Sequence, residues 1–287
     1  MRADRAASLY LFHPLTRFLR RKRQAIPILM YHQVPQVDRC TTHPYYCTST
    51  VVNVFEQQIR FLHENQYRAV NLAEAYRCVQ TGDPDEKLVA ITFDDGYRDF
   101  YTNAFPILDR YGYSATVYLP TAYIGDVSRQ FQGLDCLTWS EVRELRQAGV
   151  EFGSHTVTHP QLRDVSAEQL RSELSRSKDD IQQKLGERVE TFGYPYAFPQ
   201  TDRGFVERLR GTLEESGYRS GVTTVIGRLE RSDNPLFMSR LPVNAHDDLE
   251  FFRGKLDGAY DWLRRMQYVA KLRMVGRETR VTVVPQL

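Results

Sequence analysis

The stretch ITFDDGYRDF (residues 91–100) sets Asp94 and Asp95 side by side, after an apolar run and before Gly96. Adjacent carboxylates repel, and a chain that only had to turn could do so with one. A second stretch, GSHTVTHPQL, carries His155 and His159 four residues apart. On one helical turn or one tight loop, that spacing can aim both imidazoles at a single point. Two imidazoles and a carboxylate form a common divalent-metal set that leaves positions open for water and substrate. Asp95 is the natural third ligand.

These residues need a frame that brings them together. Apolar strand-like runs end at residues 27–32, 88–93, 150–154 and 190–194, and are followed by His32, Asp94-Asp95-Gly96, His155 and Pro195-Tyr196. Helical patterns alternate with them. Residues 53–67 show helical periodicity with Asn53 as N-cap, and 71–82 form a short helix ending at Gly82. Residues 97–112 read as a helix stopped by Gly112. Thr138 and Glu141 form a capping box for a helix ending at Gly149. Ser166 caps a long helix, residues 202–217 form another, and 249–269 a last one. The tail from Arg277 reads as an edge strand or as no structure. The fold class is α/β: a parallel β-sheet with helices outside, closed or nearly closed as a barrel. In such barrels the C-terminal strand ends share one mouth, so the four polar ends converge there.

Composition sets further bounds. The 287 residues are 41% hydrophobic and 12% aromatic, ample for a sizeable core, and the net charge is +2. That balance gives no electrostatic case for nucleic acid. Residues 1–23, however, hold seven Arg and Lys against one acid. With Leu9, Phe12, Leu15, Phe18 and Leu19 on one helical face, this segment has two readings. It is a basic amphipathic helix on an anionic membrane surface, or a helix packed on the barrel with a solvated basic end. Expected boundaries are 1–25 for this segment, 26–269 for the barrel domain and 270–287 for a tail.

No secretory signal or membrane-spanning stretch is evident. Cys40, Cys47, Cys78 and Cys136 form no CxxC pair, so reduced thiols are expected. Cys40 and Cys47 flank His43 but match no zinc spacing and read as loop residues. The expected location is cytoplasmic, with association at the inner face of the membrane. Tyr31, Tyr45 and Tyr46, in or near the loop 33–50, offer aromatic surface that could stack on a sugar or a heterocycle.

The motifs TFDDG (92–96), SHTVTH (154–159) and FGYPY (192–196) resemble, in order and spacing, those of the polysaccharide deacetylases. This is the NodB-homology domain of carbohydrate esterase family 4. The opening ILMYHQV and the stretch LTWSEVRELRQAGVEFGSH are also similar, and the resemblance covers roughly residues 26–265. It implies a distorted (β/α) barrel of about seven parallel strands with helices outside, and a Zn2+-type site that removes acetyl groups from N-acetylated sugars, with Asp95, His155 and His159 as ligands. It also implies Asp94 as general base for the water, and an N–H at Pro195-Tyr196 that holds the oxyanion and contacts substrate. The partner expected is an N-acetylated saccharide.

Two departures stand out. Where the family commonly carries an arginine against the catalytic aspartate, this chain has Gly193; Arg240 is the candidate replacement, or a substrate contact. The late Leu-x-His motif that supplies the general acid is not clear, leaving His246 and His32. His13, His43 and His63 join no constellation. Two alternatives stay open: an amidohydrolase acting on another C–N amide, and a non-catalytic glycan-binding barrel.

Overall fold

The computed structural model describes residues 3–14, 25–38, 40, 43–82 and 86–281. Among the described residues, ten strands form two sheets: β1 (Ile28–Tyr31), β2 (Tyr67–Ala69), β3 (Lys87–Phe93), β4 (Thr116–Leu119), β5 (Gln130–Phe131), β6 (Leu134–Asp135), β7 (Glu151–Ser154), β8 (Thr191–Gly193), β9 (Ser220–Ile226) and β10 (Met238–Pro242). The large sheet runs β1-β10-β9-β8-β7-β4-β3, and β3 pairs back with β1, so seven parallel strands close a barrel. Short β2 lies outside that ring on β3, and β5–β6 is a separate antiparallel hairpin. Neither β2 nor the hairpin is legible in the sequence, because two- and three-residue strands carry no periodicity.

Strand alternation divides the core. On β3, Val89, Ile91 and Phe93 join the larger cluster between barrel and helices, while Leu88 and Ala90 join the smaller one. Ala90 packs there with Ile28, Tyr118, Val222 and Met238, the residues of the barrel interior. By this parity Thr92 and then Asp94 also face inward. Parallel strands buried on both faces explain the near-continuous apolar runs.

The helices are α1 (Ala3–Ala6, continued by a π-helical Ala7–Phe12), α2 (Val52–Glu64), α3 (Leu72–Thr81), α4 (Phe105–Arg110, after a π-helical Phe100–Ala104), α5 (Trp139–Gln147), α6 (Ala167–Leu185), α7 (Arg203–Glu215), α8 (Leu249–Leu256) and α9 (Trp262–Val281). The capping box at Thr138–Glu141 and the Ser166 cap form as expected. Three details differ. Helix α2 starts two residues earlier than an Asn53 cap allows, from extended Val51. The last helical pattern breaks at left-handed Gly258, giving α8 and α9. Residues 277–281 continue α9 rather than forming an edge strand, and 282–287 lie outside the described residues.

Residues 3–12 pack on the barrel's flank. Arg5 pairs with Asp248 and Glu250, Leu9 is buried, and Phe12 stacks on Trp262 at 4.9 Å. Leu15, Phe18 and Leu19 lie outside the described residues. Cys40 and Cys47 are joined as a disulfide, contrary to the reading as separate reduced thiols. Sequence spacing could not find this pair, because the loop's own fold brings the two Cα atoms to 5.8 Å. The bridge closes a loop of eight residues, so Cys47→Ser is expected to lower stability by about 2 kcal/mol. Denaturant unfolding of oxidised wild type against the variant checks this.

Candidate metal centre and active site

The mouth is built where strands stop and the backbone turns sharply. Six non-glycine residues take positive φ among those described, and four of them sit here: Asp95 (72°), Thr156 (71°), His159 (55°) and Tyr196 (58°). Such conformations cost about 1–3 kcal/mol each and persist where the surroundings impose them. At Asp95 the left-handed turn breaks the strand's alternation. Asp94 therefore stays in phase with the barrel interior while Asp95 turns toward the histidine loop.

Asp95, His155 and His159 are all buried, and one ligand-capable atom from each lies within 4.8 Å of the other two. His155 Nε2 is 3.5 Å and His159 Nε2 3.3 Å from Asp95 Oδ1. Those approaches lack hydrogen-bond angles, so Asp95 Oδ1 is buried without a hydrogen-bond partner. His155 Nδ1 lies 2.7 Å from the Gly193 carbonyl, which fixes the tautomer and aims Nε2 at the cluster. A buried carboxylate oxygen facing two imidazole nitrogens is what a divalent cation requires, so the three residues fit one. Burial raises the Asp95 carboxyl, but the imidazoles outweigh it and hold it well below the usual range. Burial likewise opposes charge on His155, which Asp95 and Asp94 overcome, raising it; His159 is lowered, mainly by burial.

Asp94 has separate company. Arg240, fully buried on β10, donates from Nη1 to Asp94 Oδ1 and from Nη2 to Oδ2, both at 2.7 Å. Its Nη1 also reaches Thr92 Oγ1, and its Nε reaches the Thr223 carbonyl. Burial raises Asp94, but the Arg240 charge leads the opposing effects and the carboxyl is held low. Arg240 thus has no surface to offer a substrate, which corrects that reading: its donors are spent inside the barrel. His32 follows β1 at the same mouth, with Nε2 3.8 Å from Asp94 Oδ2. His246 lies elsewhere, exposed on the loop after β10, grouped with the sulfurs of Cys40 and Cys47.

At Gly193, where the resemblance leads to an expected arginine, there is no room for a side chain. A Cβ there would sit 2.7 Å from Tyr118 Cγ, and one on Gly153 would sit 2.6 Å from Tyr118 Cε1. The Tyr118 ring occupies that space, hydrogen-bonds Thr191, and lies under the Arg240 guanidinium at 6.0 Å. Gly193→Ala is expected to cost about 1–3 kcal/mol by overpacking. It should also lower turnover, because Gly193 carries the carbonyl that orients His155. Thermal unfolding and acetate-release assays on the variant measure the two effects.

Several positioning residues escape sequence reasoning. Glu173 on α6 accepts from the Val157 and Thr158 N–H groups and the Thr158 hydroxyl, bracing the loop between the histidines. Ser177 lies 2.5 Å from Ser154 Oγ. Both sit on the buried stripe Leu170, Glu173, Leu174, Ser177, Ile181. Polar residues in an otherwise apolar helix face were the available signal. Aromatic rings also wall His159: Tyr196 at 4.5 Å and Phe131, from the unforeseen hairpin, at 5.0 Å. Of the anticipated stacking residues, Tyr46 is exposed, but Tyr31 is buried and bonded to Gln58.

Comparison with known proteins agrees with this arrangement. The sequence profile described as polysaccharide deacetylase matches residues 81–219. YxkH of Bacillus subtilis (strain 168), named for the same family, is 30% identical over 224 residues, covering 78% of this chain and 73% of that protein. The poly-beta-1,6-N-acetyl-D-glucosamine N-deacetylase of Staphylococcus aureus (strain MSSA476) is 24% identical over 260 residues, covering 85% of this chain and 87% of that one. Among solved structures, the Streptococcus pyogenes deacetylase PplD in complex with acetate superposes with a TM-score of 0.69 at 26% identity. It covers 82% of this chain and 99% of PplD. The closed seven-strand barrel, the Asp-His-His cluster at its mouth and these relatives together place the chain in the polysaccharide deacetylase family.

Proposed function

We propose that this protein is a metal-dependent hydrolase that removes N-acetyl groups from a glycan or glycan precursor. The observation that carries the reading is the division of the aspartate pair: Asp95 faces two imidazoles, and Asp94 faces an arginine. Asp95, His155 and His159 would hold a divalent cation, for which Zn2+ suits the two-imidazole, one-carboxylate set. Such a cation supplies Lewis acidity to the water and to the acetamide carbonyl.

The chain's own residues do the rest. Asp94, kept ionised by Arg240, takes a proton from the attacking water. The Tyr196 peptide N–H, on a turn fixed at positive φ, donates to the oxygen that becomes negative. One such donor is worth about 3–4 kcal/mol in the transition state. His32 is the better-placed donor of a proton to the departing amine, since it lies beside Asp94, whereas His246 sits with the disulfide. His32→Ala is therefore expected to lower kcat by roughly 10²-fold or more, with His246→Ala near wild type. Steady-state kinetics on both variants decide between them.

The activity test compares metal-stripped with zinc-restored protein on N-acetylated oligosaccharides, β-1,6-linked N-acetylglucosamine oligomers among them. Acetate release restored by zinc is the expected result. Ammonia or formate in place of acetate would point to another C–N amide. Zinc binding without turnover across the panel would point to a glycan-binding barrel.

A further inference from the structure

Helix α9 is inverted for a helix on the outside of a barrel. Between Leu263 and Leu272, the side facing the barrel is polar. Gln267 donates to the Thr224 carbonyl and accepts from the Ile226 N–H, Lys271 donates to the Phe198 carbonyl at 2.6 Å, and Arg264 pairs with Asp233. The opposite side shows its apolar residues to solvent: Met266, Tyr268, Val269 and Leu272 are 55%, 39%, 41% and 46% exposed. With Arg265, the last three follow i, i+3, i+4, i+7, one continuous stripe. A surface helix normally turns such a stripe inward.

Charge points to what covers it. Residues 262–281 hold six Arg and Lys against one acid, and residues 1–23 hold seven against one, yet the whole chain is only +2. The basic excess is thus confined to two segments, and their described parts meet in space. Phe12 stacks on Trp262, whose indole N–H donates to Ser8, and Phe12, Arg265 and Met266 line one cleft. Tyr10 and Leu11, one turn from that stack, are 68% and 61% exposed. Apolar side chains interleaved with arginine and lysine match the boundary of an anionic bilayer, where each kind finds its own layer.

We propose that the outer face of α9, with the adjoining Tyr10–Phe12 turn, docks on an anionic membrane surface. Met266, Tyr268, Val269 and Leu272 enter the headgroup–acyl boundary, and Arg265 on the same stripe meets lipid phosphates. The docked face adjoins the mouth. Lys271 holds the Phe198 carbonyl and Gln267 the Thr224 carbonyl, while the Thr224 hydroxyl donates to the Tyr196 carbonyl. A saccharide presented at a bilayer would therefore reach the turn that carries Tyr196 without crossing the barrel. The docking itself does not depend on the hydrolytic reading.

The test is sedimentation of the full chain with vesicles of phosphatidylcholine, alone or with about 30 mol% phosphatidylglycerol. Wild type is expected to sediment with the anionic vesicles only, and to be released at about 0.5 M salt. Val269→Glu with Leu272→Glu should cut binding by about tenfold or more, with Tm and zinc content unchanged. The milder pair Val269→Ser and Leu272→Ser should fall between, and serves if the glutamates disturb folding. Two results would overturn the proposal. One is wild type that ignores anionic vesicles. The other is a dimer in gel filtration that these substitutions convert to monomer, which would make the face a contact between copies.

Discussion

Asp94→Asn is expected to abolish most turnover while the cation stays in place. Asparagine keeps the shape and one acceptor for Arg240 but cannot take a proton. Loss of a positioned general base typically costs about 10²–10⁴-fold, or roughly 3–5 kcal/mol of transition-state stabilisation. Zinc content by mass spectrometry should match wild type, because the ligand atoms belong to Asp95, His155 and His159. Asp95→Asn should reverse the pattern, with zinc lost and turnover lost together. The Asp94 variant also leaves a buried guanidinium without its counter-charge, so both proteins should be compared at a temperature where each is folded.

Arg240→Met should move the acid limb of the pH–activity profile upward. In wild type, burial raises the Asp94 carboxyl and Arg240 more than offsets it. Remove the guanidinium and burial is left as the leading influence, so Asp94 binds its proton at a higher pH and activity sets in at a higher pH than in wild type. Arg240→Lys should fall between, since an ammonium keeps the charge but not the two-pronged grip. Stability follows the same linkage in the metal-free protein. The folded-state value of Asp94 lies below its unfolded value of about 3.9, so its contribution is present above that pH and is lost as pH falls through the folded value. Without Arg240 that contribution disappears and an unpaired buried carboxylate remains, at a cost of about 3–5 kcal/mol near neutrality. The gap in Tm between wild type and variant should therefore be widest near pH 7 and narrow below about pH 4.

The sequence carries these two aspartates openly, and strand alternation in the structure says why they part. Asp94 continues the inward phase of Leu88, Ala90 and Thr92, and Asp95 leaves it through a left-handed turn. The barrel was legible because strands buried on both faces write uninterrupted apolar runs, and because a conspicuous residue follows each of the four strand ends. The grouping of Asp95 with His155 and His159 was legible for the same reason. What stayed hidden depends on contacts between residues far apart in the chain. Arg240 reads as a candidate partner of Asp94 or a substrate contact; its reach across 146 positions and its full burial, which remove the second reading, are written nowhere near it. Glu173 braces the histidine loop from the middle of a helix, where one polar residue among apolar ones gives little hint of its target. Gly193 read as a gap in a motif, yet the filler is Tyr118 from another strand. The pairing of Cys40 with Cys47 needed the path of the loop, and the inverted face of α9 needed to be seen against the barrel.

Anomalous diffraction at the zinc edge, from crystals of the zinc-loaded protein, tests the division of the aspartate pair most directly. One peak is expected at about 2.0–2.2 Å from an Asp95 carboxylate oxygen and the Nε2 atoms of His155 and His159. Asp94 should stand outside ligand distance, still gripped by Arg240. A peak that takes Asp94 as a ligand, or one that lies away from these residues, would contradict the account.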